Sequence, residues 1–186
     1  MDMHDKFIME DYNSRKPFAS FLPSIAGIKG IPLWAFYVNR GQGICSFGIR
    51  DKDHSIMEFN PAYKSYQTVE YTGFRTFIKI CSESGSKYYE PFSKIYPKDK
   101  PSSRMYIAAN DFEIEETSRE NGLKTNVLYF MLPEEKIGAL VRKTVIKNIS
   151  GKTLNLEILD GISEIIPYGI SNKDLKDIGN TIKAWM

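Results

Sequence analysis

Cysteine, histidine and tryptophan are scarce in this 186-residue chain, with two of each. Cys45 and Cys81 are too few to staple a small secreted scaffold. Both sit in apolar strand-like runs, so the expectation is a reducing, cytoplasmic setting with both thiols free. His4 and His54 lie far apart without ligand spacing, and no metal site is expected from them. The charged start MDMHDKF lacks an apolar signal segment. No run approaches the roughly 20 apolar residues of a membrane-spanning helix. Charge of one sign is lacking too. A formal net charge of +2 is too weak to argue for nucleic acid or an anionic membrane as partner. Internal repeats and low-complexity tracts are absent.

What is present is an ordinary globular composition, 42% hydrophobic and 26% charged. At this length a compact fold buries roughly 70% of its unfolded surface. Eleven Tyr and eleven Phe suit the pleated, half-buried surface of β-sheets. Such residues also suit a sugar-binding face, for which Tyr88, Tyr89 and Tyr96 are the candidates.

The pattern predicts a mainly β chain. The segment to about Lys29 reads as irregular. Leu33 to Val38 is apolar on both faces, as in a strand covered on both sides. It leads through Asn39-Arg40-Gly41-Gln42-Gly43 into Ile44 to Ile49, which makes a hairpin. Arg50 to Ser55 reads as a polar loop, and Ile56 to Phe59 as a short strand stopped by Asn60-Pro61. In Phe74 to Cys81, Phe74, Thr76, Ile78 and Ile80 share one face. Ser82 to Ser103 reads mainly as loop. Strands are expected around Phe112 to Glu115 and over Leu123 to Leu132. The last hairpin is expected to join Ala139 to Lys147 with Thr153 to Leu159 around Asn148-Ile149-Ser150-Gly151. In it, Leu154, Leu156 and Ile158 share a face. Asn148-Ile149-Ser150 matches a glycosylation triplet but is more simply a turn.

Only the end reads as strongly helical. Ser171 with Asp174 forms a variant capping box, and Ile170 with Leu175 a hydrophobic staple. Leu175, Ile178, Ile182 and Trp185 recur at helical spacing. This apolar stripe calls for a partner surface. A connector into a further domain is preferred over packing back on the sandwich. The expected organisation is a large antiparallel β-sandwich over residues 1–170 and the start of a linker helix over residues 171–186.

Candidate chemistry is sparse. The NRGQG turn matches no P-loop or dinucleotide fingerprint, because it leads into a strand and not a helix. Its glycines serve positive φ, while Asn39, Arg40 and Gln42 are the substrate-binding candidates, for sugar hydroxyls or phosphate. The neighbouring acids Asp51 with Asp53, Asp111 with Glu113, and Glu134 with Glu135 lie in turns or on exposed strand faces. None is assigned as a general acid.

The runs FLPSIAGIKGIPLWAFYVNRGQGICSFG and VLYFMLPEEKIGALVRKTVIKNISGKTLNLEILDGISEIIPYGISNKDLKDIGNTIKAWM resemble the N-terminal region of glycoside hydrolase family 94 phosphorylases. The resemblance covers nearly the whole chain and rests on the overall run of residues, not on short motifs. It implies a β-sandwich, a helical linker and an (α/α)6 barrel that is missing here. In that family, inorganic phosphate is the co-substrate that cleaves β-glucan oligosaccharides, here with a β-1,2 linkage expected, and glucose 1-phosphate leaves with inverted configuration. No metal or organic cofactor is implied. The acid belongs to the barrel, so no catalytic residue is carried onto this chain, which alone is expected to be inactive. The implied partners are the barrel, the oligosaccharide and a second copy in a homodimer. Two other readings stay open: a carbohydrate-binding sandwich module and a purely structural or dimerisation domain.

Overall fold

Residues 6–83, 85–95 and 99–185 are described in a computed structural model, apart from the side chains of residues 180, 182, 183 and 185. His4, Tyr96 and the side chains of Ile182 and Trp185 therefore lie outside the described residues. In chain order the strands are β1 (Phe7–Glu10), β2 (Ala19–Ala26), β3 (Ile31–Val38), β4 (Ile44–Ile49), β5 (Phe74–Ser82), β6 (Gly85–Tyr89), β7 (Ser102–Ile107), β8 (Asp111–Ser118), β9 (Leu123–Met131), β10 (Leu140–Asn148) and β11 (Asn155–Ile162). Helix α1 (Ala62–Thr72) separates β4 from β5, and helix α2 (Asn172–Trp185) follows β11.

All strand pairs are antiparallel. A five-stranded sheet, in the order β1-β7-β8-β9-β10, faces two three-stranded sheets, β2-β3-β4 and β11-β5-β6. The expected mainly β sandwich with a C-terminal helix is what the chain forms. Period-two alternation drives it. Phe112, Ile114, Glu116 and Ser118 of β8 are buried, as are Leu123, Thr125, Val127, Tyr129 and Met131 of β9, while their neighbours are partly exposed. The inward residues meet Leu22, Leu33, Ala35, Tyr37 and Ile44 of the β2-β3-β4 sheet. At the centre Tyr37, Phe112 and Tyr129 form a three-ring stack with successive centroids 4.7 Å apart. Phe74 of β5 joins at 5.8 Å from Tyr129.

The β3–β4 hairpin forms as expected. Its turn has Gly41 at φ 51° and Gly43 at φ 85°. A Cβ on Gly43 would come within 2.6 Å of the Phe112 ring, so the turn is pressed onto the central stack. The other face of this sheet is covered by α1, through Val69 against Phe36, Val38 and Cys45. That double cover explains why Leu33 to Val38 is apolar throughout.

Several expectations need correction. The segment before Lys29 holds β1 and β2. Pro23 sits in β2 opposite Trp34, on an edge strand where a missing N–H is tolerated. Ile56 to Phe59 is no strand: the preceding Ser55 bridges Gly48, the Ile56 N–H donates to the Phe47 carbonyl (3.0 Å), the Ile56 carbonyl accepts from the Ile166 N–H (2.8 Å), and no ladder follows. Helix α1 escaped the pattern because its buried face includes Ser65 while Tyr63 and Tyr71 are exposed. Strand β6 lies within the stretch expected to be mainly loop.

The largest correction concerns the last hairpin. Strand β10 pairs with β9, and β11 pairs with β5 in the opposite layer. The arms share a short connection but no ladder. Its turn is real: Asn148 Oδ1 accepts from the Ser150 N–H at 2.9 Å, and Asn148 Nδ2 donates to the Lys152 carbonyl at 2.6 Å. Leu156 and Ile158 do lie opposite Ile80 and Ile78. Burial is shallow because β11 is an edge strand, and Ile158 is 49% exposed.

The α2 cap forms as the sequence indicates. The Asp174 N–H donates to Ser171 Oγ at 3.1 Å, and Ser171 Oγ donates to Asp174 Oδ2 at 2.6 Å. Asp53 adds a second cap, accepting from the Asn172 N–H at 2.8 Å. Ile178 is exposed on this helix and Leu175 is half-buried.

Candidate functional site

The NRGQG turn places its polar side chains inward. Asn39 is fully buried. Its amide donates to the carbonyls of Tyr12 and Lys16, both at 3.0 Å, and accepts from the Phe18 N–H at 2.8 Å. Arg40 donates to the carbonyls of Asn39, Arg15 and Tyr12 at 2.6, 2.9 and 3.3 Å, and its guanidinium lies 5.7 Å from the Tyr66 ring centroid. Together these two residues pin the segment after β1 to the β3–β4 turn. Gln42 is buried as well and belongs to another cluster.

That cluster centres on Arg142 of β10, whose side chain is 10% exposed. It reaches across from the five-stranded sheet to Asp160 of β11, with bonds of 2.5 and 2.8 Å, and to Gln42 Oε1 at 2.6 Å. Its Nε donates to Tyr129 Oη at 3.3 Å and its Nη2 to Thr76 Oγ1 at 3.1 Å. Gln42 donates to Thr76, which donates to Asp160 at 2.5 Å. Burial alone would raise the Asp160 carboxyl, but the hydrogen bonds and charge of Arg142 hold it below the usual carboxylate range. The arrangement ties three sheets together. Each guanidinium nitrogen of Arg142 donates to a protein acceptor, which suits a brace more than a ligand site.

A second buried acid was not singled out in the sequence. Glu116 of β8 is 2% exposed. It accepts from Tyr89 Oη at 2.5 Å and from the Phe92 N–H at 2.9 Å. Burial pushes its carboxyl up to about 7, against the effect of those two bonds. Phe92 is itself buried and has φ 66°, so Glu116 anchors a left-handed corner after β6. The alternation of β8 held the signal, since Glu116 continues the inward series of Phe112 and Ile114.

The neighbouring acids of the sequence reading are engaged locally. Asp51 accepts from the Asp53 N–H at 2.9 Å and pairs with His54 Nδ1 at 2.7 Å, and the His54 ring lies 5.6 Å from Tyr168. Asp111 and Glu113 pair with Lys6 at 3.1 and 3.5 Å. Glu134 and Glu135 are exposed in a turn. Cys45 is buried, and its burial pushes the thiol up to about 12, so it stays protonated. Cys45 and Cys81 are both free. Among the described residues no group of three or more His, Cys, Asp or Glu is placed to hold a metal. No described helix is long and apolar enough to cross a membrane.

A recess lies elsewhere, on the outer face of the β11-β5-β6 sheet. It is a groove of about 610 Å³ whose lining includes Phe77, Tyr88, Ile95, Leu159 and the pair Lys79 with Glu157. Tyr88 is 74% exposed. The sequence had marked Tyr88 as an exposed aromatic. The strand pattern also puts Phe77 and Lys79 together on the face opposite Thr76 and Ile78. Leu159 is not legible in the sequence, because the turn before β11 points to β10 as its partner while the strand pairs with β5.

Compared with known proteins, the chain matches no family model, and no curated protein matches it.

Proposed function

We propose that this chain is the non-catalytic β-sandwich domain of a carbohydrate phosphorylase, similar to 1,2-β-oligoglucan phosphorylase. The whole enzyme would cleave β-glucan oligosaccharides with inorganic phosphate and release glucose 1-phosphate. Phosphorolysis needs phosphate held in line with the anomeric carbon and an acid that protonates the leaving oxygen. One observation carries the non-catalytic part of the reading: the polar groups with chemical potential are built into the frame. Asn39, Arg40 and Gln42 hold turns, Arg142 with Asp160 braces the layers, and Glu116, whose carboxyl burial raises to about 7, is sealed in the core. Catalysis would then belong to an (α/α)6 barrel working with this sandwich. The sandwich followed by a capped helix is the arrangement that the resemblance implies.

The coding DNA tests this reading. The sequence downstream of the Met186 codon is expected to encode a helical barrel, in frame or after a frame interruption. Unrelated sequence there would count against a phosphorylase. A second reading, a carbohydrate-binding module, is favoured by the exposed Tyr88 on the groove.

A further inference from the structure

The outward face of β5 carries Arg75, Phe77, Lys79 and Cys81, opposite Gly161, Leu159, Glu157 and Asn155 of β11. Its inward face carries the buried Thr76 and Ile78, so the groove has a floor set by the core. Strands make a more rigid platform than loops. A neighbouring hollow of about 320 Å³ shares Phe77 and Leu159 and continues to Ser163. From Glu157 to Ser163 along β11 the two recesses form one trough, about 20 Å long at the usual rise per strand residue.

The trough has an apolar middle and a polar, electrically balanced rim. Leu159 is 71% exposed, Ile95 86% and Tyr88 74%. On the rim Lys79 pairs with Glu157 at 3.0 Å, and Arg75 pairs with Glu90 at 2.7 Å while lying 4.5 Å over the Phe77 ring. Each carboxylate is matched by a cation. A polyanion would meet Glu90 and Glu157, and a polycation would meet Arg75 and Lys79. A wholly apolar occupant would strip water from two ion pairs and return no hydrogen bonds. A neutral ligand with apolar faces and many hydroxyls avoids all three penalties. Its flat faces cover the tyrosine ring and the leucine, and its hydroxyls both donate to the carboxylates and accept from the cations. The larger hollow alone falls within the volume range of small-ligand sites.

We propose that this trough binds a neutral, extended oligosaccharide, with Tyr88 as its stacking platform and the Lys79–Glu157 and Arg75–Glu90 pairs as its hydrogen-bonding rim. The inference rests on the carbohydrate reading above and deepens it. It assigns the sandwich a sugar-holding face of its own.

The test is titration of the isotopically labelled 186-residue chain with neutral β-1,2-glucooligosaccharides and, separately, with a sulfated oligosaccharide, followed by amide NMR. The neutral sugar should shift Phe77, Lys79, Tyr88 and Leu159 together. Tyr88→Ala should weaken binding about tenfold, and Tyr88→Phe, which keeps the ring, should bind within about twofold of the parent. Because Tyr88 is largely exposed, the melting temperatures of both variants should match the parent. No shifts at millimolar neutral sugar, shifts elsewhere, tighter binding of the sulfated sugar, or unaltered binding by Tyr88→Ala would each overturn the proposal. So would concentration-dependent dimerisation, seen by sedimentation, that broadens these same residues without sugar. Failure here leaves the phosphorylase reading standing if the downstream DNA encodes the barrel. Sugar binding without such a barrel sinks the phosphorylase reading and leaves the trough.

Discussion

Arg142→Met should lower the unfolding free energy by about 2 kcal/mol, between the costs of breaking an exposed and a buried pair, measured by urea denaturation at neutral pH. Methionine fills much of the space but returns none of the guanidinium's hydrogen bonds. Asp160, Gln42, Thr76 and Tyr129 would lose a common partner at the junction of three sheets. Arg142 is the buried side of this pair, and the Asp160 side chain is 28% exposed, so water offsets part of the cost of stranding its charge. Arg142→Lys should recover only part of the loss, because a point-like ammonium cannot span the same acceptors. A loss under about 1 kcal/mol for Arg142→Met, the range of an exposed pair, would show that water replaces the brace.

Glu116→Gln should stabilise the protein at pH 8 and remove a pH dependence that the parent shows. The Glu116 carboxyl is raised from an ordinary 4.5 to about 7 in the folded chain. The folded state therefore keeps a proton that the unfolded state has released. The stability linked to this proton is fully present below pH 4.5 and is lost as pH rises through about 7. Across that window the parent should lose about 3 kcal/mol relative to the glutamine variant. Glutamine is uncharged, and its amide oxygen can still accept from the Phe92 N–H. Urea titrations of both proteins at several values between pH 4.5 and 8 measure the difference. Parallel curves would show that Glu116 does not hold the proton.

The strands were legible where one face is buried and the other wet. In β8 the alternation of Phe112 and Ile114 with Glu113 and Glu115 marks the strand, β9 alternates at its start before VLYFML turns apolar throughout, and in β5 the alternation separates Thr76 and Ile78 from Phe77 and Lys79. Partner choice was not legible. Strands β10 and β11 read as a hairpin because Asn148 to Gly151 makes a genuine turn. Turn chemistry says that the chain reverses, not that its arms share a ladder. Only the long-range contacts, Leu123 to Met131 for one arm and Phe74 to Cys81 for the other, decide that. Helix α1 was hidden by a buried face holding a serine and an exposed face holding two tyrosines.

The same limit applied to the site. Asn39 and Gln42 looked available because polar residues in a glycine turn usually face water. Here the turn is pressed onto Phe112 and directs both side chains inward. Tyr88 could be named from the sequence as an exposed aromatic, and Phe77 as lying on the face opposite Thr76 and Ile78. Leu159 could join them only once β11 was placed beside β5. The Arg142–Asp160 brace was hidden for a related reason. A charged residue at one position of an alternating edge strand is commonplace, and its meaning depends on what lies across the layer gap.

The non-catalytic role is tested most directly by the release of glucose 1-phosphate from β-1,2-glucooligosaccharides and inorganic phosphate. The purified 186-residue chain and a no-enzyme control are followed over time, beside the chain joined to any barrel encoded downstream. The chain alone should release no product above the control, and the joined protein should turn over. Sustained release by the chain alone would contradict a non-catalytic sandwich, and would place the reaction among the carboxylates assigned above to the frame.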